Sequence, residues 1–233
     1  MKTYLFILLS IITSNVFSQK TLTSINEIKH YQYPDSVTEI ILYNKNKKDT
    51  NNFSLNIIRF RNIKTIDISN YNLKDFELPG SDNLENICLN NCNLNKIPRS
   101  IFTCKNLKIL DLSSNQISYI HKNISKLKKL KRLRLNKNNI TELPDKLFKI
   151  KSLTDLILAK NPINKIPEKI GKLINLEQLA ISDTKISDLP SELKSCKKLK
   201  TIYIKGTPLA KNKKRTKELE KILNKELLIY PIM

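Results

Sequence analysis

Leucine returns with a fixed period of 23 residues through most of this chain. Leu84, Leu107, Leu130, Leu153, Leu176 and Leu199 are equally spaced. From Leu107 the units read LKILDLSSNQISYIHKNISKLKK, LKRLRLNKNNITELPDKLFKIKS, LTDLILAKNPINKIPEKIGKLIN and LEQLAISDTKISDLPSELKSCKK. An earlier unit opens at Ile63, 21 residues before Leu84, and a looser one at Val37. A unit this short cannot bury its own apolar face. Stacking against its neighbours can, so the chain is expected to form a solenoid with one continuous core.

Within each unit the opening LxxLxL alternates apolar and polar residues, the period of a short strand with one buried face. Leu133 and Leu135 are expected to point inward, Arg132 and Arg134 outward. An Asn follows at Asn115, Asn138 and Asn161, where the chain leaves the strand. Its amide can bond backbone groups that would otherwise be stranded inside the coil. Cys92, Thr184 and Thr207 take that place elsewhere, and Tyr71 takes it in the unit from Ile63, which predicts a looser turn there. Pro98, Pro144, Pro167 and Pro190 recur on the return arm, where a missing N–H costs little.

This 23-residue unit, with Asn after the strand and Leu-Pro or Ile-Pro near its middle, resembles the leucine-rich repeat family over about residues 63–209. The resemblance implies an α/β repeat solenoid, a horseshoe with a parallel β-sheet on its concave face and helical caps. It also implies that other macromolecules bind on the sheet face. Residues 37–209 are read as the solenoid, 19–36 as an N-terminal cap and 210–233 as a C-terminal cap helix. Ser24 and Glu27 have capping-box spacing, with Ile25 and Ile28 facing the first coil. Leu219, Ile222, Leu223 and Leu227 follow helical spacing, with Lys217, Lys221 and Lys225 on other faces.

Residues 1–18 read as a secretory signal peptide. Lys2 starts it, the run from Tyr4 to Phe17 is mostly apolar, and Val16 and Ser18 stand at −3 and −1 of a cleavage before Gln19. The segment resembles export signals of Gram-negative bacteria, which places the protein in the periplasm or outside the cell. Export raises the question of disulfides among the 4 Cys. Cys104 and Cys196 are 92 residues, or four periods, apart. At ~4.8 Å per stacked strand that is about 19 Å, well beyond the ~7 Å Cα limit for a bridge. Cys92 falls in the Asn column and Cys88 on the sheet surface, so four free thiols are expected. Cys88-x-x-x-Cys92 lacks the second ligand pair of a metal site.

Only 3 Gly and 2 His are present, which argues against phosphate loops and His-rich metal clusters. His30 and His121 have no partner in sequence, and no nucleophile-elbow, Walker or metalloprotease pattern occurs. A non-catalytic binding module without a cofactor is the expectation.

The residues between the paired leucines run Asp67, Cys88, Asp111, Arg134, Ile157, Ala180 and Tyr203. Two residues earlier the column reads Thr65, Asn86, Ile109, Arg132, Asp155, Gln178 and Thr201. Neither is a basic stripe or an aromatic ladder, which argues against single-stranded nucleic acid. Ile109, Asp111, Arg132, Arg134, Asp155 and Ile157 form the candidate partner-binding patch, with exposed Ile beside Arg. Equally, Asp111–Arg134 and Arg132–Asp155 are adjacent-strand pairs that would neutralise each other. Tyr203 is the one aromatic expected on this face.

The net charge of +21 is expected elsewhere. Lys105, Lys128, Lys151 and Lys197, and likewise Lys126, Lys149 and Lys172, recur in register with the repeat and should form rows along a flank. Two functions follow. The first is an exported module that binds another protein through the concave sheet face. The second is an electrostatic adhesin for anionic polysaccharide, membrane or nucleic acid, held by the lysine rows.

Overall fold

The computed structural model describes residues 19–45, 57–73, 81–223 and 227–228. The signal-peptide reading of residues 1–18 lies outside them. Ten parallel strands follow one another in chain order in a single sheet. They are β1 (Lys20–Leu22), β2 (Val37–Tyr43), β3 (Thr65–Ser69), β4 (Asn86–Cys88), β5 (Ile109–Asp111), β6 (Arg132–Arg134), β7 (Asp155–Ile157), β8 (Gln178–Ala180), β9 (Thr201–Tyr203) and β10 (Leu227–Leu228). From β4 to β9 each strand is three residues long and in register with the next, so Leu110, Leu133, Leu156 and Leu179 stand side by side. All four are fully buried, as are Leu112, Leu135, Leu158 and Ile181 of the following row. Full burial of one such side chain is worth about 1.5–3 kcal/mol, and the stack repeats it at every unit. The chain returns through short 3-10 turns such as Arg99–Thr103, Glu168–Lys172 and Ser191–Ser195. Pro98, Pro167 and Pro190 precede these three turns directly.

The Asn column ties neighbouring units together. Asn138 Nδ2 donates to the carbonyls of Leu135 and of Leu112 one unit back, both at 3.0 Å. Its Oδ1 accepts from the Ile117 N–H at 3.0 Å. Asn115 and Asn161 repeat the arrangement. Cys92 reaches the Ile68 carbonyl one unit back through Sγ at 3.2 Å. The hydroxyls of Thr184 and Thr207 instead donate within their own units, to the Ile181 and Ile204 carbonyls at 2.7 and 2.6 Å.

Just before that column the backbone turns left-handed. Asn70, Asn91, Ser114, Lys137, Lys160, Asp183 and Gly206 all have φ between 55 and 76°. Each of the first six donates its N–H to a carbonyl of the next unit, for example Lys137 to Ala159 at 2.9 Å and Lys160 to Ser182 at 2.8 Å. That bond holds side chains other than Gly in a region L-residues ordinarily avoid.

The ends differ in part from the sequence reading. The front contains the expected capping box on α1 (Ile25–His30), with Ser24 Oγ accepting from the Glu27 N–H at 3.1 Å and Glu27 accepting from the Ser24 N–H at 3.2 Å. Ile28 is buried. The sheet, however, already begins within residues 19–36, because β1 pairs with β2. At the back, α2 (Pro208–Lys211) and α3 (Lys213–Leu223) close the core with Leu209, Leu219 and Leu223. The described part of residues 210–233 is therefore not one helix. Leu227 lies in β10, paired with Ile202, and Ile222 is exposed. Thr216 is buried in its stead, bonding the Leu209 and Asn212 carbonyls at 3.1 and 3.0 Å. His121 also has a role the sequence did not announce. Its Nδ1 accepts from the Asn123 N–H at 3.1 Å, capping the turn where other units place Pro, and its ring stacks on Phe102.

None of the four cysteines is in a disulfide. Burial, followed by the carboxylates of Asp67 and Asp111, pushes the Cys88 thiol up to about 12, and burial pushes Cys92 up to about 11.

Two outcomes are expected. Asn138→Ala strands the buried Ile117 N–H and takes one of two amide donors from each of the Leu112 and Leu135 carbonyls, which keep Asn115 and Asn161, so urea unfolding should show a loss of about 1–3 kcal/mol. Thr at the same site, which keeps one donor, should recover part of it. Thiol titration should count four groups in the denatured, unreduced protein. In the native protein Cys88 should react more than tenfold more slowly at pH 8 than a free thiol, its rate still rising with pH through pH 10.

Candidate protein-binding face

The register of the sheet puts three outward columns on its concave face. The first runs from Glu39 and Thr65 through Asn86, Ile109, Arg132, Asp155 and Gln178 to Thr201. The second runs from Ile41 and Asp67 through Cys88, Asp111, Arg134, Ile157 and Ala180 to Tyr203. Tyr43 and Ser69 begin the third, which continues past the strand ends to Ser182 and Lys205.

The six residues of the predicted patch do come together on β5, β6 and β7, but not all as surface groups. Ile109, Arg132, Arg134 and Asp155 are half-buried. Ile157 is only 8% exposed and Asp111 only 7%, so the expected exposed isoleucine at 157 is part of the floor. The alternation of a strand tells which side a residue faces and not how deeply its neighbours cover it. Arg134 Nη1 lies 3.5 Å from Asp111 Oδ2, and Arg132 Nε lies 3.8 Å from Asp155 Oδ2. These are the adjacent-strand ion pairs. With both guanidinium groups more than two-fifths exposed, such pairs are worth about 0.2–1 kcal/mol. Asp111 is held further by the Ser113 N–H at 3.0 Å and the Ser113 hydroxyl at 2.5 Å.

Tyr203 is half-buried on β9 and is not the one aromatic of this face. Tyr43 on β2 is 64% exposed, and Ile41 beside it 42%. The alternation Glu39-Ile40-Ile41-Leu42-Tyr43 carried the signal for both. Beyond them Asp67 is desolvated, which raises its carboxyl above the usual range against the opposing bond from Ser69, and Asp111 adds to the rise. The N-terminal half of the face is thus acidic and apolar.

The C-terminal half is basic. An open depression of about 760 Å³ is lined there by Arg134, Lys137, Lys160, Lys205 and the apolar Ile157 and Ala159, among others. The lysine rows lie away from the sheet face: Lys105, Lys126, Lys128 and Lys129 border a second depression of about 860 Å³ together with Phe102 and Asp82. Lys105 is 3.5 Å from Asp82. The ammonium of Lys149 is held below its ordinary range by Lys146 first, then by desolvation and by Lys128 and Lys172, so lysines crowd on this flank. No group of three or more metal-ligating side chains occurs among the described residues, and no helix among them is long and apolar enough to cross a membrane.

Comparison with known proteins agrees with this geometry. The Leucine rich repeat family profile matches residues 82–140 and 128–186. No curated protein sequence matches the chain. Among solved structures, an LRR protein of Leptospira interrogans superposes with a TM-score of 0.62 at 23% identity, covering 83% of this chain and 55% of its own. Internalin C2 from Listeria monocytogenes gives 0.65 at 22% identity, covering 80% and 78%. A plant peptide hormone receptor, RGFR1 in complex with RGF2, gives 0.62 at 25%, covering 82% of this chain and 30% of the receptor. The chain thus spans about half the length of the Leptospira protein and less than a third of the plant receptor. Proteins of this fold are commonly non-enzymatic modules for protein–protein interaction. With its repeat profile over residues 82–186, its ten-stranded parallel sheet and its Asn ladder, the chain is a leucine-rich repeat solenoid.

Proposed function

We propose that the chain is a non-catalytic, exported module that binds another protein through its concave sheet face. The observation that carries this reading is the pair Arg132 and Arg134. They are the only arginines in the outward columns among the described residues, and each is held by a single long ion pair. Two half-exposed guanidinium forks thus stand over a floor of Ile157 and Asp111 with most of their donors unspent. The plant receptor with RGF2 is a relative of the same fold in complex with a partner. Periplasm or cell exterior is the compartment proposed, from the signal-peptide reading.

The crowded lysines around Lys149 and the depression beside Lys128 favour a second reading, an adhesin for anionic polymers or membranes. The two readings separate on mutants of the mature chain used as bait. Replacing Arg132 and Arg134 with Ala should remove charge-assisted bonds of about 1.5–3 kcal/mol each, less the weak internal pairs. Capture of a protein partner should fall at least tenfold, with circular dichroism unchanged. Replacing Lys128 and Lys151 should leave affinity nearly intact and reduce its salt dependence. If the lysine mutant loses capture and the arginine mutant keeps it, the adhesin reading replaces the first.

A further inference from the structure

The depression at the C-terminal half of the concave face holds a polar group that nothing in the fold uses. Ser182 lines it, is 5% exposed, and its Oγ has no hydrogen-bond partner. The equivalent hydroxyl three units earlier in the same column, that of Ser113, is in use and donates to Asp111 at 2.5 Å. A buried hydroxyl without a partner is destabilising, and it is an exception in folded proteins.

The ladder places Ser182 between two lysines. The Lys160 N–H donates to the Ser182 carbonyl at 2.8 Å, and the Asp183 N–H donates to the Lys205 carbonyl at 2.7 Å. Both lysines line the same depression, together with Lys137. None of the three makes an ion pair among the described residues, whereas Arg134 is matched to Asp111. Asp183, the other acid of the lining, packs toward Gly206, where an added Cβ would meet its Oδ1 at 2.0 Å. Four cations thus face two carboxylates, an excess of two positive charges.

The rest of the lining narrows the ligand. The N–H groups of Lys137, Lys160 and Asp183 are all bonded within the sheet, so an arriving strand cannot extend it and must be held by side chains. No aromatic lines the depression, so bases and sugar rings have nothing to stack on. Ile157 and Ala159 supply a small apolar floor beside the lysines. We infer that this depression receives an acidic segment of a protein partner, its carboxylate accepting from Ser182 Oγ between Lys160 and Lys205 while a small apolar neighbour covers Ile157 and Ala159.

This inference rests on the concave-face reading but fails separately from it. The probe is a fluorescein-labelled octapeptide of alternating Glu and Ala, with Gln–Ala as its uncharged counterpart, followed by anisotropy on the full mature chain. The Glu–Ala peptide should bind at least tenfold more tightly than Gln–Ala. Lys160→Ala with Lys205→Ala should weaken it at least tenfold, whereas Lys126→Ala with Lys149→Ala, which removes the same charge from the flank, should change it less than twofold. Ser182→Ala should weaken binding roughly three- to tenfold while leaving the melting temperature of the free protein equal or higher. Absence of binding, equal losses in the groove and flank doubles, or an unaffected Ser182→Ala would each overturn the inference. If capture of a protein partner still depends on Arg132 and Arg134 in that case, the concave-face reading stands without it.

Discussion

Every unit of this solenoid depends on satisfying backbone groups that turn inward where the strand ends. Water cannot reach them, and the strand ladder has already stopped. A single side-chain amide solves the problem for two units at once. Asn115, Asn138 and Asn161 each donate to carbonyls of their own and the preceding unit and accept from an N–H one unit back. Such an amide must sit at a fixed height in the stack, which suits the constant 23-residue length of the units that carry it; the unit from Ile63, with Tyr71 in that position, is two residues shorter. At the C-terminal end the tie relaxes: Thr184 and Thr207 bond their own units, and Thr207 Oγ1 is free to cap α2 through the Ala210 N–H at 3.0 Å. The solenoid ends where its cross-unit bond is replaced by a helix cap.

The core and the Asn column were legible because both are periodic and both answer to one requirement each, apolar burial or backbone satisfaction. A second row of cross-unit bonds was not. Asn83, Asn106 and Asn175, one residue before the opening Leu, donate to the carbonyls of Arg61, Asp82 and Lys151 at 2.9, 2.7 and 2.8 Å. Ser152 does the same to Leu130, but Lys129 and Lys198 interrupt the row, so the sequence shows no clean repeat. Depth on the concave face was hidden for another reason. Ile157 is covered although it points outward, because a position's exposure depends on the size of its neighbours on two adjoining strands. Tyr43 was missed because β2 belongs to a looser unit whose period is hard to find, even though its alternation is plain.

Charge is distributed on two scales. The excess of lysine that gives the chain its net charge lies mostly on flanks and turn edges, where like charges crowd and Lys149 is held below its ordinary range. Scattered across the same surfaces, pairs such as Lys108–Glu85 at 2.7 Å and Lys200–Glu177 at 2.6 Å link adjacent units. Being exposed, they contribute little to stability, and they lower local repulsion more than they hold the stack together.

The concave face itself is polarised along the stack. Toward β2 and β3 it presents Glu39, Asp67, Ile41 and Tyr43, and burial raises the carboxyl of Asp67 and lifts the Cys88 thiol to about 12, so no anion is welcome there. Toward β7 and β9 it presents Lys137, Lys160 and Lys205 with no ion pairs of their own among the described residues. Because the strands lie ~4.8 Å apart, the two ends are separated by about 25 Å, more than twice the ~8 Å screening length at physiological salt. Each end therefore acts on its own portion of a bound chain. An extended segment with its acidic residues at one end and basic or aromatic residues at the other gains at both ends in one orientation and loses at both in the reverse. In the middle, Asp155 and Asp111 offset the charge of Arg132 and Arg134 but leave most of their donors unspent, so that stretch holds a partner by hydrogen bonds to the two guanidinium forks over a shallow floor.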